Sequence, residues 1–329
     1  MTTRVVAFGG GHGLSASLRA LRRCAPELDL DITAVVTVGD DGGSSGRLRA
    51  ERGGLPPGDL RQALVALAGD HPATRRSAGL FQHRFAAVHR DGGHSDGGHG
   101  DGLAGHAVGN LVLCGLMELL GDPVAALEHA GAMLGTVGRV LPMSRQPVGI
   151  EARVRGADPD RPDELCTVRG QHQVAVTTGR VESLRLTPRT PAACGEALAA
   201  IGAADWLIFG PGSWYTSVLP HLLVPQLAAA ILASPARRLV TLNLAAEKET
   251  LGLSVADHLA ALRWYLPELT VDHVLADVKA VGELEPVARA AQALGARLVL
   301  APVAVTDGTP RHDPAALGAA LVPVLGADR

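Results

Sequence analysis

The chain reads as an α/β protein, a doubly wound, mostly parallel sheet of the Rossmann-like kind that carries a small β-rich insert. Three observations predict this. Short runs rich in Val, Ile and Leu alternate with helix-length amphipathic segments along most of the 329 residues. Two of these runs empty directly into glycine turns, Gly9-Gly10-Gly11-His12-Gly13 and Gly210-Pro211-Gly212-Ser213. Between them, residues 147–187 switch to the period-two alternation of short antiparallel strands.

Taken in order, strand Arg4–Phe8 leads into the first glycine turn and then a helix with Leu14, Leu18, Leu21 and Ala25 on one face, ended by Pro26. Strand Ile32–Val38 follows and stops at Asp40 and Asp41, before a loop of small residues from Gly42 to Gly46 that ends in Arg47. Leu55-Pro56-Pro57-Gly58 precedes a helix over Leu60–Ala68, with Asp59 placed to cap it. Residues 91–102, D-G-G-H-S-D-G-G-H-G-D-G, are too glycine-rich for regular structure, and a helix is expected over Gly109–Leu120. Within the insert the alternation predicts strands at Ile150–Val154, Val174–Thr177 and Val181–Leu186. The βα rhythm then returns with strands Trp206–Phe209, Leu239–Leu244, His273–Leu275 and Leu298–Leu300, and helices at Val255–Tyr265 and Pro286–Leu294. The expected organisation is an N-terminal glycine-loop half (1–146), the insert (147–190) and a C-terminal half (191–329) that completes the same sheet.

Bulk composition narrows the class of partner. A hydrophobic share of 47% with 19% charged residues belongs to a globular chain, and aromatics at 3% leave the core to Ala, Val and Leu. The net charge of −3, with no basic run, argues against nucleic acid. The longest apolar stretch, Val218–Ala233, is interrupted by Pro220, His221, Pro225 and Gln226 and makes a poor membrane span. Four scattered cysteines without a C-x-x-C pair, and an N-terminus without a signal-like apolar region, point to the cytoplasm.

The chemistry concentrates at the predicted strand ends. In the first turn, Gly10, Gly11, His12 and Gly13 open a helix, where backbone N–H groups and the helix dipole favour phosphate. A plain tight turn is the alternative, because the run completes neither a G-x-G-x-x-G fingerprint nor a P-loop. Asp40 and Asp41 suit a ribose or Mg²⁺, and Asp59 joins them if the Pro-Pro-Gly turn folds back over the strand ends. Ser44 and Arg47 lie in the same loop, and Arg47 suits a phosphate. His106 and Asn110, four residues apart at a helix start, can face one ligand. Gly210, Gly212 and Ser213 form a second cradle, and two cradles on one sheet can grip a diphosphate and its substituent. The His94, His99, Asp91, Asp96 and Asp101 cluster fits no familiar zinc spacing.

Together, F-G-G-G-H-G-L-S, T-A-V-V-T-V-G-D-D-G-G-S-S-G-R-L-R, L-P-P-G-D-L-R-Q, L-A-G-H-A-V-G-N-L, F-G-P-G-S-W-Y-T-S and S-V-A-D-H-L resemble the YvcK/CofD family, in order and from Val5 to about Pro302. The D-D-G-G-S-S-G-R version looks like the YvcK branch. That resemblance implies a UDP-sugar-binding regulatory protein that supports cell shape and wall synthesis during gluconeogenic growth. The CofD branch implies instead a Mg²⁺-dependent 2-phospho-L-lactate transferase of F420 synthesis. Carried over by position, Gly10, Gly11 and Gly13 form the phosphate cradle, Asp40, Asp41 and Asp59 the metal-facing acids, and Asn110 with Gly212 and Ser213 the rest of the nucleotide cleft. Three departures stand out: His12 in place of a small Thr, no Pro-Gly before Glu249-Thr250, and the histidine-rich insertion. An NAD-type oxidoreductase is the weaker alternative, and a homodimer through the C-terminal helices is the expected assembly.

Overall fold

The apolar run at the N-terminus forms β1 (Thr3–Gly9), buried from Val5 onward as a strand covered on both faces must be. The computed structural model describes residues 2–87, 101–158, 160–250 and 252–327. After β1 the chain forms α1 (Gly11–Leu28), β2 (Leu30–Val36), α2 (Gly43–Arg52), α3 (Pro57–Leu67), α4 (Pro72–Gln82), α5 (Val108–Leu120), α6 (Pro123–Leu134) and β3 (Arg139–Pro142). Next come β4 (Gly149–Arg155), β5 (Leu165–Arg169), α7 (Gln171–Val176), β6 (Arg180–Thr187), α8 (Gly195–Ala203) and β7 (Trp206–Phe209). A π-helical turn, Trp214–Val218, leads into α9 (Leu219–Leu223) and α10 (Pro225–Ala233). The chain continues as β8 (Arg237–Thr241), α11 (Val255–Tyr265), β9 (His273–Asp277), α12 (Leu284–Ala293), β10 (Arg297–Ala301) and α13 (Pro314–Leu325).

Seven parallel strands make the main sheet in the order β10-β9-β8-β7-β1-β2-β3. From β1 the chain runs outward through β2 and β3 on one side; β7 to β10 fill the other. The direction of winding therefore reverses between β1 and β7, the switch point at which doubly wound sheets hold ligands beyond their strand ends. Phe8 and Phe209 stack across this boundary with ring centroids 4.9 Å apart. The smaller sheet, β5-β4-β6, is antiparallel, and Tyr265 of α11 ties it down by accepting the Leu184 N–H at 2.8 Å.

Several local expectations give way to tertiary structure. Pro26 does not end α1: the helix runs two residues further, without a bond from residue 26, and stops at Asp29 in left-handed conformation, whose N–H donates to Ala25 O. The strand expected to reach Val38 ends at Val36; Thr37 still donates its N–H to Gly9 O at 3.0 Å. Gly42–Gly46 is no loop: Gly42 is the N-cap and α2 begins at Gly43, despite the poor helix propensity of G-S-S-G. Helix α3 starts three residues earlier than expected, with Pro57 at its first position, so Pro56 is the cap and Asp59 lies inside the first turn. Val174–Thr177 is not a strand, since Gln171–Val176 is helical. The strand placed at Leu239–Leu244 runs instead over Arg237–Thr241, because the chain leaves the sheet at Leu242.

Among the described residues no single helix is long and apolar enough to cross a membrane. The bent pair Trp214–Leu223 and Pro225–Ala233 comes nearest, with 77° between its halves, and buries Trp214, Leu219, Leu227 and Ile231 in the core.

Candidate functional site

The two glycine turns meet at the switch point. A Cβ on Gly13 would collide with Pro211 O and Gly212 Cα, so only glycine allows α1 and the second turn to approach this closely. A Cβ on Gly10 would fall 2.5 Å from both Asp59 Oδ2 and Thr37 Oγ1. Ser17 Oγ, one turn along α1, donates to Gly210 O at 2.9 Å and holds the turns in register.

Asp59 is the deepest acid of this cleft. Thr37 Oγ1 donates to its Oδ2 at 3.1 Å. Burial, and then the Asp40 charge, push its carboxyl up to about 7 against the opposing effect of the Thr37 and Gly11 hydrogen bonds. Asp40 Oδ1 accepts the Gly42 N–H at 3.0 Å, while its Oδ2 lies 2.9 Å from where a Gly58 Cβ would be. A buried carboxyl whose proton affinity is raised by a neighbouring carboxylate suits a divalent cation, so Asp40 and Asp59 have the donor chemistry to hold Mg²⁺. Asp41 points elsewhere. Its Oδ1 accepts the His172 N–H at 2.8 Å, which ties the end of β2 to α7 of the small sheet. Among the described residues no group of three metal-ligating side chains converges.

The N-termini of α1 and α2 open on this cleft without a side-chain cap. Behind α2 lies a buried polar chain. Arg61 Nε donates to Asn110 Oδ1 at 2.8 Å, Asn110 Nδ2 donates to Ser44 Oγ at 2.9 Å, and Ser44 Oγ pairs with His106 Nδ1 at 2.9 Å. Ser44, His106 and Asn110 are thus brought together, and they bond to one another. Desolvation lowers the His106 imidazole pKa, and the nearby Arg47 adds to this, which keeps the ring a neutral partner for the hydroxyl. Arg47 itself donates to Ala104 O at 2.6 Å. His12 is exposed in the first turn of α1. Of the histidine-rich cluster, His94, His99, Asp91 and Asp96 lie outside the described residues.

The second turn is different. Gly212 donates its N–H to Asn243 Oδ1 at 2.8 Å and accepts from Asn243 Nδ2 at 2.9 Å. Ser213 Oγ donates to Glu247 Oε2, and the Tyr215 N–H donates to Glu249 Oε1 at 2.9 Å. Of the groups that sequence reasoning offered to a phosphate, the Gly212 N–H and the Ser213 hydroxyl are committed to the segment that leaves β8, and the Gly210 N–H to Phe8 O. Burial pushes the Glu249 carboxyl up to about 7; Glu247 adds to the rise and the Tyr215 N–H opposes it.

Sequence reasoning did not single out Thr37, Arg61, Glu247 or Glu249 as site residues. A detectable signal existed for three of them: an arginine among the leucines and alanines of α3, and two acids in N-L-A-A-E-K-E-T, the segment that leaves β8. Thr37 carries no such signal, being one β-branched residue in a β-branched run.

A seven-strand parallel sheet, with a switch-point cleft lined by one open glycine cradle and a carboxylate pair, places the chain among the doubly wound α/β proteins. Comparison with known proteins supplies the family. The model described as 2-phospho-L-lactate transferase CofD matches residues 5–297, and the chain belongs to that family. It is 50% identical to a Mycobacterium tuberculosis H37Rv protein named "Putative gluconeogenesis factor", over all of this chain and 92% of that one. It is 33% identical to the "Gluconeogenesis factor" of Bacillus subtilis strain 168, over 83% of this chain and 78% of that one. A crystal structure of a UPF0052 family member from Bacillus halodurans superposes with a TM-score of 0.81 at 34% identity, over 98% of this chain and 99% of the other.

Proposed function

We propose that this chain is a nucleotide-sugar-binding regulator of the YvcK type, holding a UDP-sugar in the switch-point cleft with a divalent cation. Its role would lie in the cytoplasm, in cell-shape and cell-wall control during growth on gluconeogenic carbon. The observation that carries the reading is the pairing of the uncapped α1 N-terminus with Asp40 and Asp59, two carboxylates whose mutual repulsion at Asp59 outweighs the attraction of the nearby Arg61. Diphosphate oxygens suit the amides. Mg²⁺ held by Asp40 and Asp59 would neutralise charge on both sides. The gluconeogenesis-factor names of the relatives support the regulatory half of the proposal.

Calorimetric titration with UDP-N-acetylglucosamine, with and without Mg²⁺, tests it. Saturable binding that tightens with Mg²⁺ is expected; no binding of any UDP-sugar overturns it. A second reading, a phospholactyl transferase, is favoured by the matched family model and the same acids. Mg²⁺ would then stabilise charge on a transferring phosphoryl group, while Asp40 and Asp59 position it. Turnover of a guanosine-diphosphate-linked lactate with a deazaflavin alcohol, lost in Asp40→Asn, would establish that reading instead. A homodimer through the C-terminal helices belongs to the same proposal, and sedimentation at micromolar concentration checks it.

A further inference from the structure

Residues 243–250 fold back over the second glycine turn and replace its donors with acceptors. Asn243 takes the Gly212 N–H, Glu249 takes the Tyr215 N–H, and Glu247 sits on the Ser213 hydroxyl. A helix start after a strand ordinarily welcomes an anion. This one presents carboxylates instead. Glu249 is 2% exposed, and its Oε2 has no hydrogen-bond partner. Glu247 is half-buried at the rim, its own N–H held by Thr250 Oγ1 at 3.0 Å. Gly212 touches Gly13, so this acidic rim begins one residue from the open cradle of α1.

We infer that Glu247 is a specificity residue: it favours an uncharged, hydroxyl-bearing group on the far phosphate of the ligand and rejects a further anionic group there. This deepens the nucleotide-sugar reading and rests on it. A carboxylate accepts hydrogen bonds from sugar hydroxyls as it does from Ser213, and it offers an anion no donor. A third phosphate, or the carboxylate of a phospholactyl group, meets like charge at short range in a partly desolvated cleft, where repulsion is stronger than in bulk water. Discrimination by an unfavourable contact is the ordinary route to specificity between ligands that share a core. The single cation of the segment, Lys248, is exposed between the two acids.

The test compares UDP, UDP-N-acetylglucosamine and UTP, each with Mg²⁺, on the full chain, on Glu247→Gln and on Glu247→Ala. The wild-type chain is expected to prefer the sugar nucleotide over UTP by tenfold or more. Both variants should shrink that ratio at least tenfold, Glu247→Gln mainly through tighter UTP binding. An unchanged ratio in both variants, with UDP still bound, overturns the role of Glu247 and leaves the nucleotide reading standing. Failure of the wild-type chain to bind any of the three overturns both.

Discussion

The two glycine turns at the switch point share a sequence pattern but differ in what surrounds them. Each follows a buried strand and opens a helix, and the two touch at Gly13 and Gly212. The first has uncapped helix amides above it and an acid pair at its side. The second has its donors taken by Asn243, Glu247 and Glu249. What separates an open turn from a structural joint is therefore a third segment, remote in sequence. Each turn also has one buried acid, Asp59 or Glu249, with its carboxyl pushed up to about 7. Beside the first turn the second acid is Asp40; beside the other it is Glu247, already engaged with Ser213.

The largest effect is expected where the turns meet. Gly13→Ala puts a methyl group into the Pro211–Gly212 backbone, which cannot move aside as a side-chain tip can. Overpacking of this kind costs about 3 kcal/mol. Urea denaturation should show it, and an unchanged midpoint would mean that the turns are not in contact. Next, Asp40→Asn should remove the Mg²⁺-dependent part of nucleotide binding, about tenfold or more, which corresponds to ~1.4 kcal/mol or above. If affinity keeps its full Mg²⁺ dependence in this variant, the acid pair is not a cation site.

Glu249→Gln sharpens the contrast through pH. An acid whose carboxyl rises on folding from the ordinary range to about 7 binds its proton more tightly in the native state. Its contribution to stability is therefore full in acid and falls as pH rises toward 7. The amide variant should gain on the order of 1–2 kcal/mol over wild type at pH 8 and little at pH 5, read as a difference in melting temperature. Parallel pH profiles for the two proteins would show that Glu249 does not titrate between those limits. The smallest effect belongs to Asp41→Asn. Losing the charge on the bond to the His172 N–H should cost about 0.5–1 kcal/mol. Faster amide exchange across Gln171–Val176 would report it, with Mg²⁺-dependent binding changed far less than by Asp40→Asn. Equal losses of Mg²⁺ dependence in the two variants would instead make Asp41 a cation ligand.

Much of the fold was legible because buried parallel strands are apolar runs that local chemistry marks well. Val5–Phe8, Ile32–Val38 and Trp206–Phe209 are such runs, each closed by a change of composition, although β2 itself ends at Val36. Strand β3 was not legible, since R-V-L-P is four residues ending in proline and depends on pairing with β2 for its identity. Helices α4, α6 and α13 went unread for want of a marked apolar stripe in α4 and, in α6 and α13, because nearly every position is apolar. At the site, Asp40 and Asp59 were foreseen as partners, as the backward fold of Leu55–Gly58 over the strand ends allows. The separation of Asp41 from them was not, because adjacent residues can face opposite ways once one of them accepts a distant N–H.

Local chemistry, then, determined by itself where the buried strands lie, where the glycine turns follow them and that Asp40 and Asp59 meet near the first turn. These are matters of hydrophobic periodicity and of backbone freedom, and they act over a few residues. Tertiary structure alone decided that Gly43–Arg52 is helical, that Ser44, His106 and Asn110 form a bonded frame, and that the second cradle is filled by residues 243–249. The physical reason is the same in each case. A buried N–H or hydroxyl must find a partner somewhere in the folded chain, and which partner reaches it is settled by packing across the whole molecule.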